Sequence, residues 1–106
     1  MNRQQKLICE RLGWNVTILK NDVELSQYSP AGEDFSFTAE KKNFAHSVNE
    51  YAENFDADEH AEMWIENMHT VRGVPQSIRT LINDADAIKE MLTELSEQIN
   101  KTIKGV

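Results

Sequence analysis

An α+β fold is predicted by three features of the chain. Between Trp14 and Thr38 apolar and polar residues alternate with a period of two. From Asn43 onward apolar residues recur every three or four positions, and turn-forming residues separate the runs. The order reads α-β-β-β-α-α-α: a short helix, a small three-stranded antiparallel sheet in meander order, and three C-terminal helices covering one sheet face. A three-stranded sheet needs such a cover to bury its apolar side. The 106 residues suit a single domain, 1–106, able to own a core without disulfides or metal.

Each element has its own signal. Residues 2–12 are expected to form the first helix, with Leu7, Ile8 and Leu12 on one side and Gly13 ending it. Trp14, Val16 and Ile18 then alternate with Asn15, Thr17 and Leu19, a pattern of β-branched and aromatic residues that suits a strand. Asn21-Asp22 separates this run from Val23 to Tyr28 and predicts a hairpin. Ser29-Pro30-Ala31-Gly32 has Pro second and Gly fourth, as type I turns prefer, and a third strand follows with Phe35 and Phe37 on one face. In the helical half, Phe44, Val48, Tyr51, Ala52 and Phe55 make one stripe. Asp56 and Glu59 have capping-box spacing, and Ala57, Ala61, Trp64, Ile65 and Met68 make the next stripe. Gly73 and Pro75 place a loop over 70–76. Ser77 is positioned to cap a last helix of about 25 residues, striped by Ile78, Leu81, Ile82, Ala85, Ile88, Leu92, Leu95 and Ile99 and open to a break at Asn83-Asp84.

Charge is unevenly placed. The formal net charge is −7. Glu50, Glu53, Asp56, Asp58, Glu59, Glu62 and Glu66 lie between Lys42 and Arg72, with no Lys or Arg among them; the other eleven acids balance eleven bases. One segment therefore carries the whole net charge, and a single-sign surface steers partners of opposite sign. An acidic chain of this kind is not expected to bind nucleic acid directly. Glu59, Glu62 and Glu66 step by three and four, which sets their Cβ atoms about 5–6 Å apart on one helix face. Such a row is expected to fit a Lys/Arg-lined groove that ordinarily follows a phosphate backbone. Glu50 and Glu53 offer a second row, and Glu33 and Asp34 a further contact at the hairpin loop.

Other chemistry finds little support. The four glycines are scattered, so no phosphate-cradling loop is present. Cys9 is the single cysteine and is expected to be a buried, inert residue. Asp56, Asp58, His60 and Glu62 begin like a calcium loop, but Ala61 stands where the sharp turn needs Gly and Asn67 where the loop needs Glu. His60 and His69 are nine apart, not the four that puts two imidazoles on one helical face. A metal-dependent enzyme built on those four residues is thus the weakest reading; no enzyme and no cofactor is expected. No apolar run approaches the roughly 18–20 residues of a membrane helix, and only Leu7, Ile8 and Cys9 stand between Lys6 and Glu10, too few for a secretory core; a cytoplasmic protein is expected.

Three stretches carry a resemblance: QYSPAGEDFSFT from Gln27 to Thr38, FDADEHAEMWI from Phe55 to Ile65, and GVPQSIR from Gly73 to Arg79. Together, over about Gly13 to Ile99, they resemble a group of small acidic phage and mobile-element proteins of gut and related Gram-positive bacteria, mostly without assigned function. Small acidic proteins from that setting include anti-CRISPR inhibitors, some of which mimic DNA. The resemblance implies a host-defence inhibitor acting in the bacterial host cytoplasm on a CRISPR effector nuclease; it assigns no residue a role. The competing expectation is a structural or regulatory interaction module, homodimeric through the last helix.

Overall fold

The computed structural model describes residues 1–66 and 78–104. Asn2 and Gln5 open the first helix, α1 (Arg3–Arg11), with a reciprocal capping box: each side chain accepts from the other's backbone N–H, at 2.8 and 2.9 Å. Gly13 ends it as expected, in the left-handed region at φ +93°. The bonds Gly13 N–H to Glu10 C=O and Trp14 N–H to Cys9 C=O complete a Schellman motif. The buried side differs from the expected one. Gln5 and Cys9 are buried and Ile8 and Leu12 half-buried, whereas Leu7 is 50% exposed. Two positions along a helix turn a side chain by about 200°, so Leu7 points away from the face that Cys9 commits to the core.

Three strands follow as an antiparallel meander, β1 (Asn15–Ile18), β2 (Asp22–Tyr28) and β3 (Asp34–Glu40), in the order β1-β2-β3. Val23 faces Ala39, Leu25 faces Phe37 and Gln27 faces Phe35 across β2 and β3. Burial along β3 alternates without a fault: Phe35, Phe37 and Ala39 are in, while Asp34, Ser36, Thr38 and Glu40 are out. The inner face meets α2 (Phe44–Asn54) and α4 (Ile78–Lys104). Phe44, Val48 and Ala52 of α2 and Ile88, Leu92, Leu95 and Ile99 of α4 pack with Trp14, Val23, Leu25, Phe35 and Phe37 into one core. Rings add directed contacts: Tyr51 stacks on Phe37 at 4.4 Å and 16°, and Trp14 meets Phe37 edge-on at 5.6 Å.

Between α2 and α4 runs α3 (Ala57–Glu66), held against α4. The helix α4 is continuous over 27 residues, with no break at Asn83-Asp84. Asp84 is buried there because it is used: its Oδ2 accepts from Ser29 Oγ at 2.6 Å and its Oδ1 from Ala31 N–H at 2.9 Å, tying the β2–β3 loop to the helix. Along the α4 stripe Leu81, Ala85, Ile88, Leu92, Leu95 and Ile99 are buried, whereas Ile82 is exposed. Met68, the expected loop over 70–76 and the Ser77 cap lie outside the described residues. No helix among the described residues is long and apolar enough to cross a membrane.

Candidate functional site

The meander's two ends differ in charge. At the β1–β2 end, Lys20, Lys41 and Lys42 share a depression with Asp22 and Glu40; the Lys41 ammonium donates to Lys20 C=O at 3.2 Å, and Lys41 N–H to Asn21 C=O. The helix α2 starts beside Lys42 and carries the chain back to the other end. There Glu33 of the β2–β3 loop meets His60 of α3, and Glu53, Asp56 and Asp58 gather at the α2–α3 junction.

On α3 the sequence decides which side is wet. Ala61 is buried and Ala57, His60, Trp64 and Ile65 are half-buried. Asp58, Glu59, Glu62, Met63 and Glu66 are exposed. At 100° per residue the four acids fall within about a 100° arc, so they form one acidic face, with Met63 at its margin. Glu50, Glu53 and Asp34 are exposed too. Among the described residues no Lys or Arg side chain forms an ion pair with any of these carboxylates; the single contact is Glu50 with His46 at 3.4 Å, an exposed i,i+4 pair worth little. Like charges at Asp58/Glu62 and Glu62/Glu66 each cost the helix a few tenths of a kcal/mol. The acids of the first turn, Asp58 and Glu59, recover part of that by lying at the positive end of the helix dipole.

Asp56 has a structural task as well as its charge. Its Oδ1 accepts from the backbone N–H of Asp58 at 3.0 Å and of Glu59 at 3.2 Å, capping α3. Lys89 of α4 reaches the opposite helix end, donating to the carbonyls of Ala52 and Glu53 where α2 stops. Around this turn Glu53, Asp56, Asp58 and Asp86 surround a shallow acidic hollow in which Lys89 is the one cation among the described residues.

Glu33, expected at an outward contact, faces inward instead. Its carboxylate receives His60 Nε2 at 2.9 and 3.0 Å and the indole N–H of Trp64, and the Glu33 and His60 side chains are only 13% and 19% exposed. The loop geometry forces this orientation: Glu33 N–H donates to Ser29 Oγ, Gly32 N–H to Ser29 C=O, and Gly32 sits at φ +93°. Glu33 is therefore a clasp between the hairpin and α3, and a partner would reach it only by displacing His60 and Trp64. Trp64, read as an apolar stripe residue, carries its polar tip into the same clasp. One signal for this network was available in the sequence, namely Asp84 standing within the apolar stripe of α4.

The residues considered for metal do not converge. Asp56 caps, His60 turns to Glu33, and Asp58 and Glu62 face outward. Among the described residues no three His, Cys, Asp or Glu side chains gather as a metal site. Ser29 and His60 both touch Glu33, but Ser29 Oγ donates to Asp84 rather than to an imidazole, which is no nucleophile–base pair. Burial pushes the Cys9 thiol up to about 12, leaving it a packed, unreactive group.

Comparison with protein-family models, with curated proteins and with solved structures finds no match to this chain.

Proposed function

We propose that this chain is a non-enzymatic inhibitor of a host nucleic-acid enzyme, binding through the acidic surface of α2 and α3 and competing with DNA. The supporting observation is the exposure of Glu50, Glu53, Asp58, Glu59, Glu62 and Glu66 along α2 and α3, without Lys or Arg partners among the described residues. Fold stability alone gives no reason for that concentration, since each like-charged helical pair is unfavourable. A groove built to follow a phosphate backbone would supply the missing cations, and long-range attraction would raise the association rate. The resemblance to phage and mobile-element proteins points to a CRISPR effector nuclease as the first partner to test.

The test is retention of such a nuclease by the tagged protein at two salt concentrations. The Debye length falls from about 10 Å at 0.1 M toward 3 Å at 1 M, so the complex is expected to form at 0.1 M and to dissociate well before 1 M. A complex indifferent to salt would refute the acidic-face reading.

A further inference from the structure

The acidic face is not a uniform row of carboxylates. Where α2 turns into α3 a cleft of about 220 Å³ opens, floored by Tyr51, Phe55 and Met63 and edged by Asn54, Asp56 and Glu59. We infer that this cleft receives one arginine side chain of the partner; the inference rests on the proposed acidic-face reading and names the contact at its centre.

Three properties of the cleft select a guanidinium. Its volume lies below the roughly 300–1,000 Å³ of ordinary small-molecule sites, so it suits a side chain rather than a metabolite. Its floor is aromatic and thioether surface: Tyr51 and Phe55 are half-buried, their rings 6.4 Å apart, and Met63 is 56% exposed. Such a floor favours a cation over water, and a flat guanidinium over a compact, strongly hydrated ammonium. Its rim is anionic. Among the described residues the Glu59 carboxylate has no partner, and Asp56 keeps Oδ2 beyond the Oδ1 that caps the helix. An apolar side chain entering here would strip water from both carboxylates without pairing them, which is costly.

The opposing term is the dipole of α3, whose N-terminus lies at the cleft and repels a cation. That end carries about +0.5 of an elementary charge, against three carboxylates at Asp56, Asp58 and Glu59, so the local field is negative. The neighbouring His60 edges the cleft but directs Nε2 to Glu33.

Titration of the whole protein with N-acetyl-argininamide and N-acetyl-lysinamide, followed by NMR at the Met63 methyl and the Tyr51 and Phe55 rings, tests this directly. The arginine derivative is expected to shift these signals saturably and more tightly than the lysine one. Glu59→Gln should weaken it by about threefold or more, while Glu40→Gln, beside the lysines at the other end of the sheet, leaves it unchanged. No shift, or equal shifts with both derivatives that Glu59→Gln does not alter, would overturn the inference. Titration with a deca-lysine peptide separates it from the broader reading. Salt-sensitive deca-lysine binding that Glu62→Gln and Glu66→Gln weaken, with no arginine response at Met63, would sink the cleft and leave the acidic face. An arginine response with deca-lysine binding indifferent to those two variants would do the reverse.

Discussion

The sheet with α2 and α4, and the junction of α3 with the β2–β3 loop, are held by different forces. In the first region apolar side chains interlock: Val23, Leu25, Val48, Ile88, Leu92, Leu95 and Ile99 are almost fully out of water. In the second, Ala61 is the only buried residue of α3 among those described, and polar contacts fix the geometry. Glu33 receives His60 and Trp64, and Asp84 receives Ser29 and Ala31. The first region sets the fold through area removed from water, which is insensitive to charge. The second holds the acidic helix in place through directed bonds that lose their worth when one partner changes. The acidic helix thus rests on a polar junction, anchored to an apolar body.

The largest expected effect comes from breaking the apolar region. Leu92→Ala should destabilise by about 2–5 kcal/mol in urea unfolding, since it removes a fully buried side chain and leaves a cavity. A loss under 1 kcal/mol would mean the core is looser than its burial implies. Raising the pH attacks the same region by charge. The Cys9 thiol is pushed from 9.0 to about 12 by burial, and Tyr51 is raised by the same cause. The folded state therefore holds protons that the unfolded chain gives up. Stability from Cys9 is fully present below about pH 9 and falls progressively as pH rises toward 12. Melting temperatures across pH 8–11 check this, and Cys9→Ser should flatten the thiol's part of the decline.

Changes at the polar junction should cost less. Asp84→Ala leaves the Ser29 hydroxyl and the Ala31 N–H without their acceptor, for about 1–3 kcal/mol. Glu33→Gln keeps the size but removes the charge facing His60; about 1 kcal/mol and a shifted Trp64 fluorescence maximum are expected. An unshifted maximum would show that the clasp does not hold Trp64. The smallest stability effect belongs to the exposed acids. Glu62→Gln with Glu66→Gln should leave stability within a few tenths of a kcal/mol, or raise it slightly by relieving like-charge repulsion. The same pair should still weaken binding to a basic partner, which separates a surface for recognition from a surface for folding.

The two regions were not equally legible in the sequence. Sheet alternation and helix stripes could be read because burial of one face imposes a period of two or 3.6 on neighbouring residues. Leu7 was misplaced because a nine-residue helix with few apolar positions leaves its rotation to its neighbours, and the core selected Gln5 and Cys9. The polar junction carries no local period. Glu33 and His60 are 27 residues apart and Ser29 and Asp84 are 55 apart, so their pairing follows from the packed fold rather than from spacing. The exposure of Asp58, Glu59, Glu62 and Glu66 was legible from their placement opposite the apolar stripe. The inward turn of Glu33, only one residue from the exposed Asp34, was not.

In the proposed function the acidic face of α3 occupies the place of a nucleic-acid backbone. Its most direct test is competition between this protein and labelled double-stranded target DNA for a purified CRISPR effector nuclease at about 0.1 M salt, where electrostatic attraction still reaches about 10 Å. The wild-type protein should displace the DNA, and the triple variant Glu59→Gln, Glu62→Gln, Glu66→Gln should fold as stably and fail to displace it. A ternary complex in which nuclease holds protein and DNA together, or undiminished competition by the triple variant, would contradict the account.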